Sequence, residues 1–188
     1  MILENYKQQC WSDTDWLYIQ GLTKAIEDMS ILYIRNNEED DKRFHVEHVF
    51  AYELYHLWKD VLKKQNPNSL MLNGELTKHY YCLEKEEYKF PDMVLHSGYS
   101  KSNYQCIICE IKSSRNHVNN DALMKDMKSL KAGIESLGYK CGVFIYLGDD
   151  TLCMISKIKQ ILTKLEFITQ KRVLFVGING EKTVYEII

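Results

Sequence analysis

A mixed α/β fold is expected from three features of the chain. Cys141 to Leu147, CGVFIYL, is an unbroken apolar run, the mark of a strand buried on both faces. Stripes of apolar residues at helical spacing precede and follow it. Two further apolar runs, Met93-Val94-Leu95 and the one ending at Glu110-Ile111-Lys112, flank the turn-rich segment GYSKSN and read as an antiparallel hairpin. These features predict a central mixed sheet of four to six strands flanked by helices, with an extra N-terminal helix before an αβββαβ core.

The first helix follows the cap-type residues Ser12, Asp13 and Thr14, with Ile19, Leu22, Ile26, Met29 and Tyr33 on one face. It breaks at the polar run Arg35 to Arg43, a solvated loop. Phe44 to Lys64 is the second helix, striped by Val46, Phe50, Leu54, Leu57 and Val61. At about 100° per residue, Glu47 and Glu53 lie about 60° to either side of that stripe. After the turn QNPNS, Leu70 to Lys78 is a first strand with a bulge at Gly74. Glu75 is read there as an exposed strand position. The hairpin supplies the next two strands. A helix over about Asp121 to Leu137 follows, capped by Asn120 or Asp121 and stopped by Gly138. Its stripe is Leu123, Met127, Leu130, Ile134 and Leu137, with Lys125, Lys128 and Lys131 largely opposite. Beyond the Cys141 strand come a helix over Ile155 to Ile168 and two strands, Arg172 to Gly177 and Thr183 to Ile188, around the Asn179-Gly180 turn.

The chain has 188 residues, 45% of them hydrophobic and 27% charged, which suits one domain over 1–188. Within it, 1–43 is the N-terminal helix and loop, 44–147 the core, and 148–188 the closing helix and strands. No apolar run reaches the roughly 18 residues of a membrane span. The N-terminus MILENYKQQC has no basic region leading into an apolar core, so a cytoplasmic protein without membrane contact is expected. Six cysteines then read as free thiols. Cys106 and Cys109 have metal-like spacing, but in a regular strand they point to opposite faces, and no second pair completes a zinc site. His45, His48 and His56 lack the spacing of a zinc protease. Neither a G-x-S-x-G elbow nor a P-loop is present. A net charge of −2 is not the balance of a protein that coats DNA.

What carries chemistry is the hairpin. With period-two alternation, Glu110 and Lys112 share a face with Cys106 and Ile108. A carboxylate and an ammonium at the end of an apolar strand are costly to leave unpaired. Asp92 on the neighbouring strand adds a second acid, making a cleft suited to a divalent cation with a lysine beside it. His96 shares the face of Asp92 and Val94 and reads as a supporting or surface histidine.

Pro91-Asp92 followed by Glu110-x-Lys112 resembles the PD-(D/E)xK phosphodiesterases, the superfamily of restriction endonucleases, repair exonucleases and junction resolvases. The resemblance covers roughly Phe44 to Leu147, and the element order is that of its restriction-endonuclease-like core. It implies a nuclease, acting on DNA, with Asp92, Glu110 and Lys112 catalytic. Magnesium is the expected cofactor and manganese its substitute, held by Asp92, Glu110 and the Ile111 carbonyl. A further glutamate from the preceding helix, Glu47 or Glu53, would add a ligand. The cation would polarise the phosphate while Lys112 orients the attacking water and balances charge at phosphorus. The alternative is a catalytically silent module that binds nucleic acid or another partner. A homodimer is left open. Replacing Lys112 with Ala is expected to abolish cleavage without lowering the melting temperature.

Overall fold

Residues 11–30, 33, 46–65, 70–74, 91–98, 103–114, 119–167, 173–179 and 182–188 are described by the computed structural model. Four helices and six strands lie among them, in the expected order. They are α1 (Asp13–Glu27), α2 (Val46–Gln65), β1 (Met71–Gly74), β2 (Met93–His96), β3 (Gln105–Ser113), α3 (Asn120–Glu135), β4 (Cys141–Leu147), α4 (Thr151–Lys164), β5 (Val173–Ile178) and β6 (Thr183–Ile187). One mixed sheet takes all six strands in chain order, β1 to β6. The β1–β2, β2–β3 and β5–β6 pairs are antiparallel, and β3–β4 and β4–β5 are parallel. The parallel pairs need crossovers, and α3 and α4 supply them.

Each helix forms where its stripe can be buried. Ser12 caps α1 by accepting the Asp15 N–H, while Asp15 returns a carboxylate to the Ser12 N–H, a reciprocal box worth about 1 kcal/mol. Ile19, Leu22 and Ile26 then enter the core with Phe50, Leu54, Trp58 and Leu62 of α2. These two helices cover one face of the sheet against Ile107, Cys109 and Ile111. The other face carries Val94, Ile108, Phe144 and Phe175 beneath α3 and α4. Asn119, one residue before the expected cap, accepts the Ala122 N–H and starts α3. Gly138 ends the turn after α3 at φ +82°, where a side chain would be strained. The last helix begins at Thr151, a turn earlier than its apolar pattern suggested.

Three expectations are corrected. Gly74 pairs regularly with Met93, so it forms no bulge. The irregularity lies instead between Leu95 and His96, which pair with Ile107 and Gln105 and leave Cys106 as the extra residue. A bulge re-aims its side chain. Cys106 therefore joins Ile107 and Cys109 in the α1–α2 core rather than sharing the Glu110 face. His96 is fully buried at the far end of β2 from Asp92, its Nδ1 2.6 Å from the Gly98 carbonyl oxygen. The polar run 35–43, His45 and Glu75 lie outside the described residues.

Candidate active site

Pro91 explains why the β2–β3 ladder stops at Met93. Ile111 donates its N–H to Asp92 Oδ2 at 2.6 Å, so the amides of Cys109, Ile111 and Ser113 face the β2 side. Continuing the register of Met93 with Cys109 would set Pro91 opposite Ile111. Proline has no N–H to offer the Ile111 carbonyl. The ladder ends there and two carboxylates take over the edge. Asp92 receives Ile111, and Glu47 Oε1 receives the Ser113 N–H at 2.7 Å. Both are charge-assisted bonds, stronger than the backbone bonds they replace. In an extended strand a carbonyl points to the same edge as its own N–H, so the Ile111 oxygen shares this edge with Asp92.

Glu110 and Lys112 leave β3 on the face of α3. The two elements run in opposite directions and meet in steps. Gly133 sits against Ile108, where a Cβ would come within 2.6 Å of its Cδ1, and this lets the helix lie close. One turn back, Ser129 Oγ donates to Glu110 Oε1 at 2.6 Å. At the next turn, Asp126 Oδ2 lies 3.4 Å from Lys112 Nζ. The Lys112 side chain is 20% exposed and that of Asp126 1%, so the ammonium faces a buried carboxylate rather than bulk water. Tyr146, opposite Lys112 in the β3–β4 register, donates its hydroxyl to Asp150.

Asp92 and Glu110 act on one sulfur. Burial first, then the charges of these two acids, hold the Cys109 thiol well above its ordinary value of 9.0. Asp92 and Glu47 also line one cavity of about 920 Å³ between α2 and β1, together with Ile111. Glu53 does not line it, although its helical offset from the stripe matches that of Glu47. Trp58 and Leu62, both buried, shift the true stripe toward Glu47. Counting them would have favoured Glu47 from sequence. Asp126 and Ser129 were missed, and a signal existed for them. A buried acid and lysine two apart on a strand need partners about one turn apart on the crossover helix.

The lysines of α3 divide. Lys125 and Lys128 are exposed, whereas Lys131 donates to the Leu165 carbonyl at 2.6 Å and so holds α3 to the end of α4. Lys112→Ala is no longer expected to be neutral for stability, because it removes the cation beside buried Asp126. Among the described residues, no group of three His, Cys, Asp or Glu side chains is set to hold a metal ion, and no helix is long and apolar enough to cross a membrane.

No protein-family model matches the chain, and no curated protein or solved structure matches it either.

Proposed function

We propose that the carboxyl end of β3 is the active site of a magnesium-dependent phosphodiesterase that hydrolyses nucleic acid, most readily DNA. One observation carries the reading: the ladder ends at Pro91, so that the Asp92 carboxylate and the Ile111 carbonyl share a strand edge that lines the cavity, with Glu110 and Lys112 on either side of Ile111 along β3. Carboxylate and carbonyl oxygens are hard donors, and their small number suits an ion that keeps most of its water, as magnesium does and zinc does not. Asp92, Glu110 and the Ile111 carbonyl would hold it, with Glu47 beside them on the neighbouring amide. When bound, magnesium supplies Lewis-acid polarisation of a phosphate oxygen and acidifies a water. The remaining work falls to the chain. Lys112 orients the attacking water and offsets negative charge growing on the phosphate, with Asp126 Oδ2 3.4 Å from its ammonium to aim it. Ser129 fixes the rotamer of Glu110. A strand and a packed helix are rigid mounts for such placement. Cys106, Cys109, Cys141 and Cys153 are free thiols, in keeping with a cytoplasmic setting.

Asp92→Asn is the sharpest variant, since the amide oxygen can still accept the Ile111 N–H while the charge is lost. Parent protein is expected to cut plasmid or oligonucleotide DNA with Mg²⁺ or Mn²⁺ and not with EDTA. The variant should cut at least about 100-fold more slowly at an unchanged melting temperature. Equal cutting by both sinks the proposal.

A second reading has an observation of its own. Ser129–Glu110 and Asp126–Lys112 also serve as ties between sheet and helix. In a catalytically silent module that binds a partner, they would do only that. Calorimetric titration with Mg²⁺ and Mn²⁺ separates the two, because the silent module takes up neither ion.

A further inference from the structure

The 920 Å³ cavity extends from Glu47 and Asp92 along α2, and its walls change character as it goes. Its two acids sit at one end, where both receive backbone amides of β3. Farther along, the α2 wall presents His48, Tyr52, Tyr55, His56, Lys59 and Lys63. Tyr52 is 66% exposed, so most of its ring is open to solvent. Lys59 stands over the Tyr55 ring, its Nζ 5.3 Å from the centroid. Lys63 makes an exposed pair with Asp60 at 2.9 Å, which a phosphate can replace at little cost. Tyr52 to Lys63 spans about 16 Å of helix. The facing wall is β1, with Met71, Asn73 and Gly74.

We propose that this cleft binds single-stranded nucleic acid and leads the strand to the carboxyl end of β3, an inference that rests on the phosphodiesterase reading above. Exposed aromatic faces interleaved with cations match a polymer of flat bases and anionic linkages. Duplex is disfavoured, because its bases are already stacked on each other and unavailable to Tyr52. The cations at the open end fall on phosphates, and the strand then meets Glu47 and Asp92 where the acids gather. Tyr52 supplies a platform for a base, and half-buried Tyr55 steadies Lys59, whose Nζ lies over its ring. Nothing in this arrangement reads base edges, so recognition is tolerant of sequence.

Binding is tested in EDTA, without cleavage, by fluorescence anisotropy of labelled oligothymidylate, oligouridylate and a hairpin duplex. Either single strand should bind at least tenfold more tightly than the duplex. Tyr52→Ala should weaken binding roughly tenfold; its side chain is exposed, so the melting curve should match the parent's. Lys59→Ala and Lys63→Ala should each lower the slope of log affinity against log salt by about 0.7. Asp92→Asn should retain single-strand binding while losing cleavage, so the cleft and the catalytic proposal fail separately. Duplex bound as tightly as single strand, no single strand held, or all three cleft variants binding like the parent would each overturn the inference.

Discussion

The two ends of β3 are held by different forces. Over its first half, from Gln105 to Cys109, β3 has β2 on one side, and from Ile107 it has β4 on the other. Its side chains there are apolar, apart from Gln105, and fill both cores. Over its last residues, Glu110 to Ser113, β4 continues on one side while carboxylates take the amides on the other. The side chains there include an acid and a lysine matched to a serine and an aspartate of α3. A ladder replaced by side chains can be opened to another ligand without unfolding the sheet. A ladder between strands cannot. This is why the carboxyl end is the half where chemistry is sought.

Two substitutions test that contrast most strongly. Ile107→Ala, in the covered half, empties a site that is 1% exposed and should cost about 2–5 kcal/mol. Lys112→Ala, in the open half, should cost about 2–4 kcal/mol, because Asp126 is 1% exposed and loses the Lys112 ammonium. Urea titration measures both, and the rescue distinguishes them. Adding Asp126→Asn to Lys112→Ala should recover a substantial part of the loss, while the same addition to Ile107→Ala should recover nothing. Equal behaviour of the two backgrounds would remove the distinction between the halves.

Hydrogen exchange sharpens the comparison at the level of single amides. Ile111 and Ser113 donate to side chains that can rotate away, whereas Cys109 lies in the ladder. The first two amides should exchange faster than Cys109 in the parent. A bond to a charged acceptor is worth about 1.5–3 kcal/mol, so Asp92→Ala should speed Ile111, and Glu47→Ala Ser113, by about 10- to 100-fold. Each variant should leave the amide of Cys109 nearly untouched. Loss of protection along the whole of β3 would mean that the carboxylates support the sheet rather than cap its edge.

Much of the covered half was legible in the residues. Cys141 to Leu147 is the strand its unbroken apolar run announced, buried along its whole length. The α3 stripe from Leu123 to Leu137 enters the core as spaced. Periodicity reports burial, and burial decided those elements. The bulge at Cys106 left no trace in the pattern, because its neighbours are apolar on either face. Asp126 and Ser129 looked like the polar flank of an amphipathic helix, since a helical wheel does not show which strand side chains lie beneath it. Glu47 and Glu53 were symmetric only while Trp58 and Leu62 were left out of the stripe. Asp92, Glu110 and Lys112 were read from local chemistry, and their partners emerged only from how α2 and α3 cross the sheet.

The smallest expected effect belongs to the covered half, at alkaline pH. Cys106, Cys109 and Cys141 lie together in the α1–α2 core. Burial pushes the Cys106 thiol from its ordinary 9.0 up to about 12, and those of Cys109 and Cys141 well above 9.0. A group whose pKa is raised by folding contributes stability below its unfolded value and loses it as pH climbs toward the folded one. Stability should therefore hold level to about pH 9 and decline beyond it. The hydroxyls of Tyr146 and of half-buried Tyr104 and Tyr185, raised from 10.0 first by desolvation, join the decline later. Replacing the three cysteines with Ala lowers stability at every pH through lost packing, so the slope and not the level is the readout. In urea titrations from pH 7 to 11, the triple variant should lose the first part of the decline and keep the tyrosine part. An onset unchanged in the variant would place the alkaline sensitivity outside this core, and the covered half would then be held by packing with no titratable contribution from its thiols.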